Sequence, residues 1–148
     1  MPGLSIKRRM LNRINTVNMS EELSSLTVNI AEKILADNNV QGSEVNIIII
    51  DQSEMSGLNN QFRHKEGCTD VITFSMREGI NPQYSGNMLG DIYICPECFE
   101  DPSGSFLRRV IHGMLHLLGY DHSDSSRDAF LRLENSYLNS TGEQNSDS

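Results

Sequence analysis

Apolar positions along this chain follow two alternating rhythms, one of helices and one of strands. After Ser20-Glu21-Glu22, residues Leu23, Leu26, Ile30 and Ile34 recur at helical spacing, behind a serine suited to capping and two acids suited to a first turn. Val45 to Ile50 is then a short β-branched run ending at polar Asp51, the pattern of a strand buried on both faces. Helical spacing returns at Met55, Leu58 and Phe62, and Val71 to Phe74 and Leu89 to Ile94 predict two further strands. The connection between those strands holds Gly79, Pro82 and Gly86 and is long enough to overhang a site. Asp101-Pro102 predicts a helix start, and Leu107, Val110, Ile111, Met114, Leu115 and Leu118 form a broad stripe that stops at Gly119. A last helix near Ser125 to Leu138 carries Phe130, Leu133 and Tyr137 on one face. The sum is an α+β fold: a small mixed β-sheet covered by helices, with the helix after Asp101 at its centre.

Composition adds boundaries to this picture. The 148 residues suit one domain, expected over 1–138, followed by a polar tail over 139–148 expected to be disordered. No apolar stretch approaches the roughly 20 residues that span a bilayer, and the basic Lys7, Arg8 and Arg9 are not followed by a signal-peptide core. A cytoplasmic location is expected, with no membrane partner. Cys68, Cys95 and Cys98 are an odd number without a secretory signal, so they are expected to be thiols. Cys95-Pro96-Glu97-Cys98 is a C-x-x-C without a second one to complete a four-thiolate site, and is read as two small residues packed at a strand end. The net charge of −8 argues against indiscriminate attraction to a polyanion. Basic residues nevertheless fall in three groups, Lys7 to Arg13, Arg63 with Lys65, and Arg108 with Arg109, which form a nucleic-acid surface if they converge.

Candidate chemistry sits at the end of the central helix. His112 and His116 are four residues apart, so their rings leave one helix face about one turn apart and can share an ion. Gly119 ends the helix, and Tyr120-Asp121 can turn the chain so that His122 swings back to the same point. Three nitrogen ligands with a fourth tetrahedral position open suit one catalytic zinc ion. The zinc-peptidase pattern H-E-x-x-H requires a glutamate directly after the first histidine, and here that residue is Gly113. Asp121 is left with three readings: a general base, a carboxylate orienting a histidine ring, or a turn residue.

The run from His112 to His122, HGMLHLLGYDH, resembles the H-G-x-L-H-L-x-G-Y-D-H signature of the YbeY family. Upstream, Leu58-Asn59, Phe62-Arg63 and Thr69-Asp70-Val71-Ile72-Thr73-Phe74 resemble that family's second block, and Gly90-Asp91-Ile92 its third. The resemblance implies an endoribonuclease specific for single-stranded RNA, acting at the 3′ end of small-subunit rRNA and in ribosome quality control. It implies zinc on His112, His116 and His122, catalytic roles for His112 and Arg63, and partners comprising rRNA, the ribosome or a subunit, and ribosome-associated proteins. A guanidinium at Arg63 suits this chemistry because it can grip two phosphate oxygens at once. Asp70 is left as a structural cap or part of the site wall. Two other classes compete: a zinc hydrolase acting on another bond, such as an amide, and a metal-stabilised ribosome-assembly factor without catalysis.

Overall fold

The computed structural model describes residues 10–76, 87–101, 104–121, 123 and 125–143. The expected loop residues Gly79, Pro82 and Gly86, together with Pro102 and His122, lie outside them. The elements are β1 (Arg13–Val17), α1 (Glu21–Asp37), β2 (Glu44–Ile49), α2 (Gln52–Arg63), β3 (Val71–Ser75), β4 (Met88–Ile94), a single 3-10 turn (Pro96–Cys98), α3 (Phe106–Leu117) and α4 (Arg127–Ser140). The strands form one mixed sheet in the order β1-β2-β4-β3, in which β1, β2 and β4 run parallel and β3 antiparallel to β4. The chain is α+β, with helices on a small mixed sheet as the apolar rhythm implied.

Two apolar clusters cover the sheet. Ile30, Ile34 and Leu35 of α1, Val110, Ile111, Met114 and Leu115 of α3, and Phe130 and Leu138 of α4 pack with Val45, Ile47, Ile92 and Ile94 in the main core. Met55 and Leu58 of α2 join Ile48, Ile72, Phe74 and Tyr93 in a second cluster. The β2 strand is therefore buried on both faces only in part. Val45 and Ile47 are fully buried, whereas Asn46 is half-buried, accepting a hydrogen bond from Asn15 at 2.8 Å and donating one to Asp91 at 2.9 Å.

Local chemistry sets the helix ends. Ser20 caps α1, accepting from the Leu23 amide at 3.1 Å, and Asp51 and Glu54 form a reciprocal capping box on α2. The start expected for the central helix at Asp101-Pro102 is corrected: α3 begins at Phe106, where the Ser105 hydroxyl accepts from the Arg108 amide at 3.0 Å. Asp101 is instead committed to Arg109, whose Nη2 donates to it at 2.7 Å. The α4 helix continues through Ser140, past the boundary expected at 138, and its first described successors, Thr141 to Glu143, remain attached, with the Ser105 hydroxyl donating to Glu143. The strand β1 was not expected at all.

Cysteine chemistry is also corrected. Cys68 and Cys98 form a disulfide, with Cα atoms 6.1 Å apart, while Cys95 stays a buried thiol whose sulfur lies 3.1 Å from that of Cys98. The bond ties the segment before β3 to the turn after β4, two places 30 residues apart in sequence. Burial raises the Cys95 pKa above its ordinary value.

Candidate active site

Three elements deliver the site to one open cavity of about 470 Å³, lined by Phe62 and Arg63 from the end of α2, Val71 to Phe74 of β3, and His112 and His116 of α3. Each element is held there by a specific fit. Asn59, nearly fully buried, donates from Nδ2 to the Gly67 carbonyl at 3.0 Å, and α2 stops with His64 in the left-handed region at φ 55°. That turn presents Arg63 at the helix end. Gly90 has φ +155°, and a Cβ there would stand 2.1 Å from the Phe74 carbonyl oxygen and 2.7 Å from Leu117. Only glycine lets β3, β4 and α3 approach this closely. At Gly113, a Cβ would meet Ile92 side-chain atoms at 2.9 Å, so the histidine-bearing helix lies directly on β4.

The two histidine rings converge as expected from their spacing. Their Nε2 atoms stand 3.1 Å apart, and both rings pack on buried Phe130, with centroids 5.2 and 5.3 Å away. Two nitrogens bound at roughly 2.0–2.1 Å to one tetrahedral zinc ion stand about 3.3 Å apart, so the pair fits a shared metal as it stands. Among the described residues no group of three potential ligands converges. His122, expected as the third, is outside them.

Glu134 completes the arrangement, and sequence reading did not single it out. The residue is 4% exposed, its carboxylate accepting from His112 Nδ1 at 2.8 Å and from Arg108 Nη1 at 2.9 Å, one bond to each oxygen. Burial pushes its pKa up, but the hydrogen bond and charge of His112 and then Arg108 outweigh burial and hold it below the ordinary glutamate value. An ionised carboxylate only accepts, so the contact calls for a proton on His112 Nδ1 and leaves Nε2 as the ring atom turned toward His116. The signal was present: Glu134 falls between Phe130 and Tyr137 on the apolar face of α4, where a carboxylate requires a buried partner.

The remaining candidates sort themselves by partner. Asp121 Oδ1 accepts from the Ser123 amide at 2.6 Å, the bond of an Asx turn. Asp70 and Asp101 both accept from Arg109, at 3.0 and 2.7 Å, and the guanidinium carbon sits 4.0 Å over the Phe99 ring. Arg108 donates to Glu134 and, at 3.1 Å, to Asn135. The third basic group is thus spent inside the fold rather than forming a nucleic-acid surface, and Lys7 to Arg9 lie outside the described residues. Arg63 is exposed, with no ion pair among the described residues, and lines the same cavity as the histidines.

Fold and site together define a class: an α+β domain in which a carboxylate-anchored histidine pair and an arginine face one open cavity. The chain belongs to the Endoribonuclease YbeY family, whose profile matches residues 9–142. It is 34% identical over 138 residues to the Endoribonuclease YbeY of a Sulfurihydrogenibium species, covering 87% of this chain and 88% of that protein. The Pelotomaculum thermopropionicum Endoribonuclease YbeY is 34% identical over 128 residues, covering 78% and 84%, and that of Francisella philomiragia is 37% identical over 102 residues, covering 62% and 65%. Among solved structures, that of TM1509 from Thermotoga maritima superposes with a TM-score of 0.54 at 25% identity, covering 91% of this chain and 99% of the other. No helix among the described residues is long and apolar enough to cross a membrane.

Proposed function

We infer that this chain is a zinc-dependent endoribonuclease that cuts single-stranded RNA, acting at the 3′ end of small-subunit rRNA and in ribosome quality control. The observation that carries the reading is the pair of Nε2 atoms 3.1 Å apart, one ring anchored through its Nδ1 by Glu134, in an open cavity that Arg63 also lines. His112, His116 and His122 are the proposed ligands of a single ion. When bound there, zinc supplies positive charge and Lewis acidity beside the scissile phosphate. Arg63 grips that phosphate and balances charge gathering on its oxygens. Glu134 keeps the His112 ring in the orientation and tautomer that present Nε2, and Phe130 supports both rings from beneath.

The cavity opens to solvent, which suits turnover better than a sealed ion that only pins the helix. Family membership favours RNA over an amide substrate, and Gly113 leaves no glutamate base for peptide hydrolysis. With Arg108 and Arg109 engaged internally and a net charge of −8, affinity for free RNA is modest. The ribosome, or a protein bound to it, then brings the substrate to the site in the cytoplasm. The decisive experiment measures zinc content and cleavage of a short single-stranded RNA on one preparation, with its duplex and a peptide library as comparisons. One equivalent of zinc and cleavage confined to the single strand are expected. A zinc-loaded protein that leaves RNA intact overturns the reading.

A further inference from the structure

Phe62 is an apolar residue in an unusual position. It is 52% exposed, although its neighbours on the same face of α2 are fully buried at Met55 and half-buried at Leu58. Its ring is nevertheless not loose. It packs edge-to-face with Phe74 at 5.1 Å and 77°, and Phe74 packs in the same way with Tyr93 at 5.8 Å and 82°. This aromatic row runs from the second core cluster out to the cavity, so the exposed ring is held edge-on by two half-buried rings packed against that cluster. Phe62 directly precedes Arg63, and both line the cavity that holds His112 and His116.

A fixed, half-exposed aromatic ring beside a phosphate-binding guanidinium is the equipment of a nucleobase subsite. Bases stack on such rings whatever their identity, since each has a flat π-face. We propose that Phe62 is a stacking platform for one unpaired nucleobase next to the scissile phosphate, and that this contact selects single-stranded RNA. The proposal rests on the nuclease reading and adds its mode of substrate recognition. A base in a duplex is stacked on both sides and cannot give up a face to Phe62 without unpairing. An unpaired base can turn outward, and its own phosphate then falls to the adjacent Arg63. Because stacking acts on binding, the residue governs KM more than kcat.

The chain contains no tryptophan, so Phe62→Trp places a single indole reporter at the subsite. Three measurements test the proposal. Fluorescence of Phe62→Trp is titrated with a short single-stranded RNA and with its duplex, using metal-free protein so that no cleavage occurs. KM and kcat are compared for wild type and Phe62→Leu, with zinc content checked. The same RNA carrying one abasic nucleotide at the cleavage position is then given to both proteins. The expected results are quenching by the single strand and not the duplex, and a KM raised roughly ten-fold or more in Phe62→Leu with kcat nearly kept. The abasic nucleotide should weaken wild type but barely alter Phe62→Leu. An indole that does not respond to RNA that demonstrably binds, an unchanged KM, or an abasic penalty equal in both proteins overturns the subsite. Cleavage that is indifferent to Phe62 removes the subsite and leaves the nuclease. Quenching by single strands in a zinc-loaded protein that never cleaves does the reverse.

Discussion

Replacing Glu134 gives the sharpest test of how the histidine pair is held. Its two oxygens serve two donors, His112 Nδ1 at 2.8 Å and Arg108 Nη1 at 2.9 Å, and its side chain is 5% exposed. In Glu134→Gln one oxygen remains to accept, but the other position becomes an NH₂ that meets a donor. One charge-assisted bond is lost and a donor is left facing a donor, which together cost on the order of 2–3 kcal/mol of folding stability. His112 and Arg108 are about a quarter exposed, so water relieves part of the strain, and the cost falls below that of breaking a wholly buried pair. The effect on the metal is separable. Partners that orient a ligating imidazole are typically worth about 10- to 100-fold in metal affinity. Glu134→Gln should therefore bind zinc at least ten times more weakly, measured by competition with a chelating dye. Nitrogen-detected imidazole NMR of the metal-free protein should show the His112 proton on Nδ1 in wild type and a mixture of tautomers in the variant. A variant with unchanged tautomer and unchanged zinc affinity, yet lower stability, would reduce Glu134 to a packing residue and refute the reasoning.

Four further outcomes are expected. Arg63→Ala should keep its zinc and its fold while single-turnover cleavage falls on the order of 10²-fold, with Arg63→Lys restoring only part of the rate. His116→Ala should lose zinc binding, so that added zinc no longer raises its melting temperature as it does for wild type. Cys95→Ser/Cys98→Ser should retain zinc and cleavage. It should also lose the disulfide, which in the chain-entropy model is worth roughly 3–4 kcal/mol for a closure spanning 30 residues, read by urea denaturation with and without reductant. Asp101, held below the ordinary aspartate value chiefly by the hydrogen bond from Arg109, stabilises the fold above about pH 4 and loses that effect as pH falls through its folded value. Asp101→Asn should thus melt slightly below wild type at neutral pH, and the two should converge in acid.

What the sequence made legible depended on how local each cause is. Caps such as Ser20 and stripes such as that of α3 act within a few residues, so α1 and the body of α3 stood where the apolar rhythm placed them. The HxxxH spacing worked for the same reason, since helix geometry alone brings the rings together. β1 failed this test. Arg13 to Val17 has little apolar pattern of its own and is a strand because it pairs in register with β2. The Cys68–Cys98 bond and the Glu134 contact join residues 30 and 22 apart, and such pairings are decided by tertiary structure. The start of α3 shifted because Asp101, a good cap in isolation, is claimed by Arg109. Even so, a glutamate inside the apolar stripe of α4 was a readable sign of a buried ionic partner.

Gly113 carries a consequence for the relation between this chain and zinc peptidases. Writing glutamate at that position would spell H-E-x-x-H, and by sequence alone a single substitution separates the two catalytic vocabularies. In three dimensions they lie much further apart. Even the first carbon of that side chain would press on Ile92 at 2.9 Å, in the seam where the helix rides on the sheet. To admit the glutamate, Ile92 would have to give way beneath the helix, or the helix itself shift on β4. The tight seam beneath the histidine-bearing helix therefore opposes the peptidase base, and directed evolution toward amide cleavage would have to repack Ile92 beneath the helix before adding the acid.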